Sequence, residues 1–335
     1  MIARTNTIWQ VSAWQNELAG AIRDPEVLLS RLNLCHHQLA DRYQACKQFP
    51  LRVTESYLSR MRPGDPNDPL LLQILPQGEE LDQVNGYSID PVGDNASIKL
   101  PGLLHKYSGR CLLITTAACA VHCRYCFRRH FPYQASRLDE ESLTQAMAYI
   151  AGDGSLSEVI LSGGDPLSLS DERLEQIISK LDTIPHLKRL RIHTRQPVVL
   201  PSRITDRLLE TLNHSRLQQV VVLHFNHANE FDHQVESAIE KLSRSGITLF
   251  NQSVLLKGVN DSVSSLKALS EKLFEHRIIP YYLHLLDKTS GAAHFDIPLK
   301  QARQLHRELK AELPGYLVPT LVQELAGEPN KTVIT

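Results

Sequence analysis

The chain has 335 residues, 42% hydrophobic, 22% charged and 6% aromatic, with a formal net charge of −1. That is a folding composition, long enough for one large α/β domain with an extension or for two domains. The balanced charge, with no long basic or acidic run, argues against a broad nucleic-acid surface, and no apolar run approaches the ~18 residues of a membrane span.

Residues 1–100 read as a helical N-terminal region and connector. The opening MIARTNTIWQVSAWQ lacks the basic-then-apolar layout of a secretory signal, so a cytoplasmic location is expected, where thiols stay reduced. VSAWQNELAGAIRD, DPEVLLSRLNL and HHQLADRYQACKQF space their apolar residues as helices do. Pro50, Pro63, Pro66, Pro69 and Pro76 then cut the chain into short pieces, and residues 77–100 are polar and turn-rich.

From about residue 111 the texture changes. Apolar, β-branched runs appear at CLLITTA (111–117), SEVILSG (157–163), KRLRIHT (188–194), QQVVVLHF (218–225), GITLFNQSV (246–254) and PYYLHLL (280–286), each followed by a helical pattern. After the second run Leu174, Ile177, Ile178 and Leu181 fall on one helix face. After the fourth, Val235, Ala238, Ile239 and Leu242 do the same, with Gly246 as a stop. After the sixth, Pro298 can open a helix carrying Ala302, Leu305 and Leu309. Six strand–helix units imply a parallel sheet with right-handed crossovers. Six is short of a closed eight-stranded barrel, so an open parallel (β/α)6 partial barrel is expected over 101–298, followed by a C-terminal helix and tail over 299–335. A doubly wound flat sheet is the alternative. Either way the active site belongs at the C-terminal ends of the strands.

Cys119, Cys123 and Cys126 lie directly after the first strand, half of the six cysteines in eight residues. Thiolates are soft ligands, suited to zinc or to iron–sulfur. One reading is structural zinc, with His122 or His130 as fourth ligand. The other is a 4Fe–4S cluster with one iron left open to bind a small molecule. Cys35, Cys46 and Cys111 are expected to be buried small apolar residues. The second strand ends in SGGDPL, Ser162 to Leu167, whose glycines would let backbone approach a ligand closely.

CxxxCxxC after the first strand, GGDP after the second and six βα units together resemble the radical S-adenosylmethionine (SAM) superfamily. The strings TTAACAVHCRYCFRRHF, VILSGGDPL, LHFNHANE, NQSVLLKGVND and PYYLHLLDKTSGAAHF narrow the resemblance to the lysine 2,3-aminomutase family, from roughly residue 50 onward. The resemblance implies a radical SAM fold with a helical N-terminal extension. It also implies three cofactors: a 4Fe–4S cluster on Cys119, Cys123 and Cys126, SAM on its open iron, and pyridoxal 5′-phosphate (PLP). By the same resemblance Ser162, Gly163, Gly164, Asp165, His224 and Gln252 are SAM-side contacts. Lys331 is the PLP lysine, in a loop with fewer glycines than the family's usual pattern. Arg110, Tyr107 and Lys106 serve the PLP phosphate, Lys106 standing where the family has arginine. Arg128 pairs with the substrate carboxylate, as a guanidinium suits, while Asp287 and Glu324 hold a distal ammonium. Glu324 replaces an aspartate, so its carboxylate reaches further.

The implied activity is an isomerase moving the amino group of L-lysine from the α to the β carbon. The implied partners are L-lysine and an external one-electron donor, with neither nucleic acid nor membrane, and a homo-oligomer is compatible with the sequence. The zinc-binding cysteines of longer aminomutases have no counterpart after GVND or beyond Lys331. The chain thus resembles the short bacterial form, which supplies (R)-β-lysine for elongation factor P. Two readings compete. A glutamate 2,3-aminomutase is opposed by Asp287 and Glu324, which would repel an acidic side chain; a non-catalytic zinc or iron–sulfur protein would use the cysteines structurally.

Overall fold

The computed structural model describes residues 12–36 and 38–335. The first eleven residues, the start of the first expected helix among them, lie outside the described residues, as does His37 in the third. Helices Ala13–Ala19, Pro25–Arg31 and Leu39–Gln48 precede the core. Asp24 caps the second through a bond from the Glu26 N–H, with Pro25 at its first position, where a missing N–H is harmless.

One ten-stranded sheet follows: β1 (Ile98–Leu100), β2 (Leu103–Tyr107), β3 (Arg110–Thr116), β4 (Glu158–Gly163), β5 (Arg189–Thr194), β6 (Gln218–Leu223), β7 (Thr248–Val254), β8 (Ile279–His284), β9 (Thr320–Gln323) and β10 (Thr332–Val333). The strands pair in strict chain order. β3 to β9 are parallel throughout, while β1, β2 and β10 add antiparallel edges. A doubly wound sheet needs a reversal of strand order, and there is none. With right-handed crossovers, sequential order keeps every helix on one face and curls the sheet into an open barrel.

The six strand–helix units stand as the hydrophobic periods indicate. Leu174, Ile177, Ile178 and Leu181 are all buried, as are Val235, Ala238, Ile239 and Leu242, and Gly246 takes the left-handed turn after its helix at φ 76°. Three features differ from expectation. The sheet begins with a hairpin before residue 111, because Gly109, at φ 75°, lets β2 turn into β3. A seventh parallel strand, β9, follows the helix Leu299–Glu312. Of the three isolated cysteines only Cys111, inside β3, is buried; Cys46 is half-buried and Cys35, in a loop between two N-terminal helices, is exposed. The N-terminal helices share one apolar core with the barrel: Leu28, Leu29, Val53 and Tyr57 pack in the same cluster as Leu161, Ile192 and Leu223.

Candidate active site

The loop after β3 carries the three thiols, all free and partly buried. Its shape is set from outside the loop. The His122 N–H donates to the Arg52 carbonyl at 3.0 Å and the Arg124 N–H to the Gln73 carbonyl at 2.8 Å. Arg124 is completely buried and grips Glu80 with both arms, Nε to Oε1 at 2.8 Å and Nη2 to Oε2 at 2.5 Å. Arg129 adds a second guanidinium on Glu80 Oε2 at 2.8 Å. Glu80 belongs to the stretch that reads as a polar connector, and so does Asp94; both are buried under the loop. Burial, then the Cys123 charge, pushes the Cys126 thiol up to about 11; burial, Asp165 and the neighbouring thiols push Cys119 up as well. Thiols set this close in a buried loop carry negative charge together only on a cationic centre, so the donor set fits a metal cofactor. Among the described residues no three His, Cys, Asp or Glu side chains gather closely enough for one ion. His122 Nδ1 lies 2.8 Å from the Pro50 carbonyl and His130 Nε2 lies 3.1 Å from that of Ser290. A 4Fe–4S cluster takes one sulfur at each of three separate corners.

The glycines of SGGDP serve a protein contact. A Cβ on Gly163 would stand 2.6 Å from the Thr116 carbonyl oxygen, and one on Gly164 would stand 2.5 Å from that of Ala118. The Gly164 N–H donates to the Thr116 carbonyl at 2.7 Å and the Asp165 N–H to that of Ala118 at 2.8 Å. The β4 loop is thus laid flat against the entry to the cysteine loop, a contact only glycine permits. The Asp165 carboxylate is spent inside the fold. It accepts from Thr194 Oγ1 at 2.7 Å and from the N–H groups of Leu167, Arg195 and Gln196. Burial raises its pKa to about 6 against those bonds.

A chain of charges runs from the cysteine loop to the far edge of the sheet. Arg128 Nε donates to Asp94 Oδ2 at 2.8 Å and its Nη1 to Ser162 Oγ at 3.0 Å. Lys106 lies 3.7 Å from Asp94 Oδ1 and 2.7 Å from Glu324 Oε1. Lys331 Nζ donates to Glu324 Oε2 at 2.6 Å. Burial opposes the charge of Glu324, but Lys331 and Lys106 hold it well below the usual carboxylate range. Asp287 lies in the same field, unpaired at Oδ1; burial and Glu324 raise it to about 7. Residue by residue, then, Arg128, Lys106, Glu324 and Lys331 are brought into one network, with Asp287 beside it. Asp94, a member of that network, is not marked by any motif and lies in the stretch that reads as a polar connector.

Arg110 opens β3, and its guanidinium lies over the Tyr107 ring, 4.6 Å from the centroid. Among the described residues no carboxylate pairs with it, which leaves a cation free for an anionic group such as a phosphate. His224 and Gln252 meet at 3.2 Å, and the His193 ring packs edge-on against His224 at 5.9 Å. Burial, with Arg195 and Lys331 nearby, lowers His224 to about 3, so it is neutral. His193 Nε2 and His284 Nε2 are buried without a partner. Sequence reasoning gave neither histidine a role, although His193 lies within KRLRIHT and His284 within PYYLHLL, both expected strands. Orphaned donors and acceptors of this kind suit a polar ligand inside the barrel.

These observations describe a (β/α) half-open barrel with a thiol loop at its mouth, and the model of the Radical SAM superfamily matches residues 113–267. Chains named L-lysine 2,3-aminomutase are similar along nearly their whole length. That of Haemophilus influenzae is 48% identical, over 96% of this chain and 95% of its own. That of Escherichia coli is 48% identical, over 95% and 93%, and that of Clostridium subterminale is 38% identical, over 96% and 77%. The chain belongs to the lysine 2,3-aminomutase family of the radical SAM superfamily. Membership of that superfamily implies a 4Fe–4S cluster and SAM.

Proposed function

We propose that this chain is a lysine 2,3-aminomutase, converting L-lysine to β-lysine with a 4Fe–4S cluster on Cys119, Cys123 and Cys126, SAM and PLP. The observation that carries the substrate is the pairing of opposite ends. A guanidinium, Arg128, lies at one end of the charge network; the carboxylates Glu324 and Asp287 lie at the other, beside Lys331. An amino acid with a second amine matches that order of charges, and an acidic side chain does not. When bound, the cluster and SAM would supply a 5′-deoxyadenosyl radical, and PLP, held at rest by Lys331, would supply the π system that lets the substrate's nitrogen migrate.

The chain's own residues do the rest. Arg128 offers a forked donor to the α-carboxylate, with Asp94 holding the guanidinium in place. Glu324 stays ionised and is shared by two cations, Lys331 and Lys106. The substrate's distal ammonium would compete with these two cations for the same carboxylate. Asp287 gives up its proton to take the same ammonium, because a cation beside it lowers its pKa. Arg110 and Tyr107 would hold the PLP phosphate, with Lys106 close by. The His224–Gln252 pair would serve SAM, and the orphaned nitrogens of His193 and His284 are further polar groups for a bound ligand. The barrel wall excludes water from a radical that attacks whatever is nearest. The finer reading, (R)-β-lysine supplied for elongation factor P, rests on the resemblance to the short bacterial form. No described helix is long and apolar enough to cross a membrane.

The test is an anaerobic assay of the purified, iron-loaded chain with dithionite, SAM, PLP and either L-lysine or L-glutamate, followed by chiral analysis. β-Lysine formed from lysine alone is expected. Turnover of glutamate, or colourless protein holding zinc, overturns the reading. Lys331→Ala is expected to lose the PLP absorbance band and all turnover while keeping its iron.

A further inference from the structure

The N-terminal region and the GGDP aspartate converge on one side chain to which the reading above gives no role. Arg195 directly follows β5, is 6% exposed, and aims Nη1 at Cys123 Sγ, 2.7 Å away. Its Nη2 donates to Glu230 Oε1 at 2.5 Å, to Gln73 Oε1 at 2.6 Å and to Tyr57 Oη at 3.1 Å. Its own backbone N–H donates to Asp165 Oδ2 at 2.7 Å. The main chain is therefore pinned by the β4 loop, and the guanidinium by one residue from the β6 loop and two from the N-terminal region. A guanidinium is cationic at any ordinary pH, and here it is ion-paired with Glu230. Glu230 is fully buried and also accepts from the Tyr57 hydroxyl and the Asn226 N–H.

A charged donor on a cluster sulfur favours the state with more negative charge on the cluster. Hydrogen bonds to the sulfurs and local charge are among the main determinants of an iron–sulfur potential. The step concerned is uptake of one electron by the oxidised cluster from an external one-electron donor, which loses that electron; no proton moves. We propose that Arg195 is a positioning residue that raises the reduction potential of the cluster through Cys123. Glu230 opposes it, and Asp165 fixes its backbone. This rests on Cys123 being a cluster ligand. It gives the N-terminal region a function: Tyr57 and Gln73 steer the cation that makes the cluster easier to reduce.

The experiment uses the full chain, loaded with iron and sulfide under anaerobic conditions, as wild type, Arg195→Met, Glu230→Gln and Cys123→Ala. Iron per chain is measured first. The midpoint is then read from the EPR signal of the reduced cluster in a dithionite titration with mediators. Arg195→Met is expected to keep its iron and titrate lower. At the wild-type midpoint its reduced-to-oxidised ratio should fall about tenfold, equivalent to ~59 mV for one electron. Glu230→Gln should titrate higher. A merely structural role would not move the two in opposite directions. Unchanged midpoints in both iron-loaded variants overturn the proposal. If Arg195→Met loads no iron, the Glu230→Gln midpoint decides: a rise supports the proposal and no shift ends it. A full cluster in Cys123→Ala instead shows that the ligand set is wrong, a failure distinct from an unmoved midpoint.

Discussion

At the scale of single residues, Asp287 is the most informative. Its proton is held until about pH 7, because the carboxyl is buried and faces Glu324. The folded pKa is raised above the ordinary aspartate value of ~3.9. Its contribution to stability is therefore full below about pH 4 and is lost as pH rises to about 7. Asp287→Asn should flatten that part of the curve, visible as a smaller fall in Tm between pH 5 and pH 8. The same variant should raise KM for lysine roughly 10- to 100-fold at pH 8, since a charged hydrogen bond contributes about 1.5–3 kcal/mol. An unaltered KM would remove Asp287 from the ammonium site. That a carboxylate stands after PYYLHLL was legible from the chain alone. Its unpaired, protonated state was not, because the neighbours that raise its pKa, Glu324 and Asp94, lie far along the sequence.

At the scale of elements, the cysteine loop is a passenger of its neighbours. Gly164→Ala puts a methyl group against backbone that cannot move without shifting the loop. The expected cost is about 1–3 kcal/mol, as for other overpacked sites, with iron per chain falling in parallel. If iron is retained in full, the flat contact between the β4 loop and the cysteine loop is not what shapes the ligand set. The clamp beneath is costlier to break. Glu80→Ala leaves Arg124 and Arg129 buried without their carboxylate, and the loss should be about 3–5 kcal/mol, read from the urea midpoint. The spacing CxxxCxxC announced a metal loop, and the GGDP glycines announced close approach. What they approach is protein, a fact that depends on the parallel pairing of β3 with β4. Likewise Glu80 sits in QGEELDQ, a run with every mark of solvated surface; only tertiary packing against two arginines reveals otherwise.

At the scale of the molecule, strand count and helix faces were readable because each unit buries a periodic apolar stripe. The edges were not, since β1, β9 and β10 are two to four residues long and carry no periodicity. The N-terminal region is structurally part of the barrel. A chain lacking residues 1–76 should be recovered without iron, because Tyr57, Gln73 and the carbonyl partners of the cysteine loop go with it; stoichiometric iron in that fragment would contradict this. The strict order of the sheet also has a meaning in time. Each strand meets its neighbour as soon as it is synthesised, whereas Lys106 waits 218 residues for Glu324. At 5–20 residues per second that is roughly 10–45 seconds. The contacts that hold the sulfur loop from the N-terminal side are therefore made early on the ribosome, and the carboxylate end of the lysine pocket is closed much later.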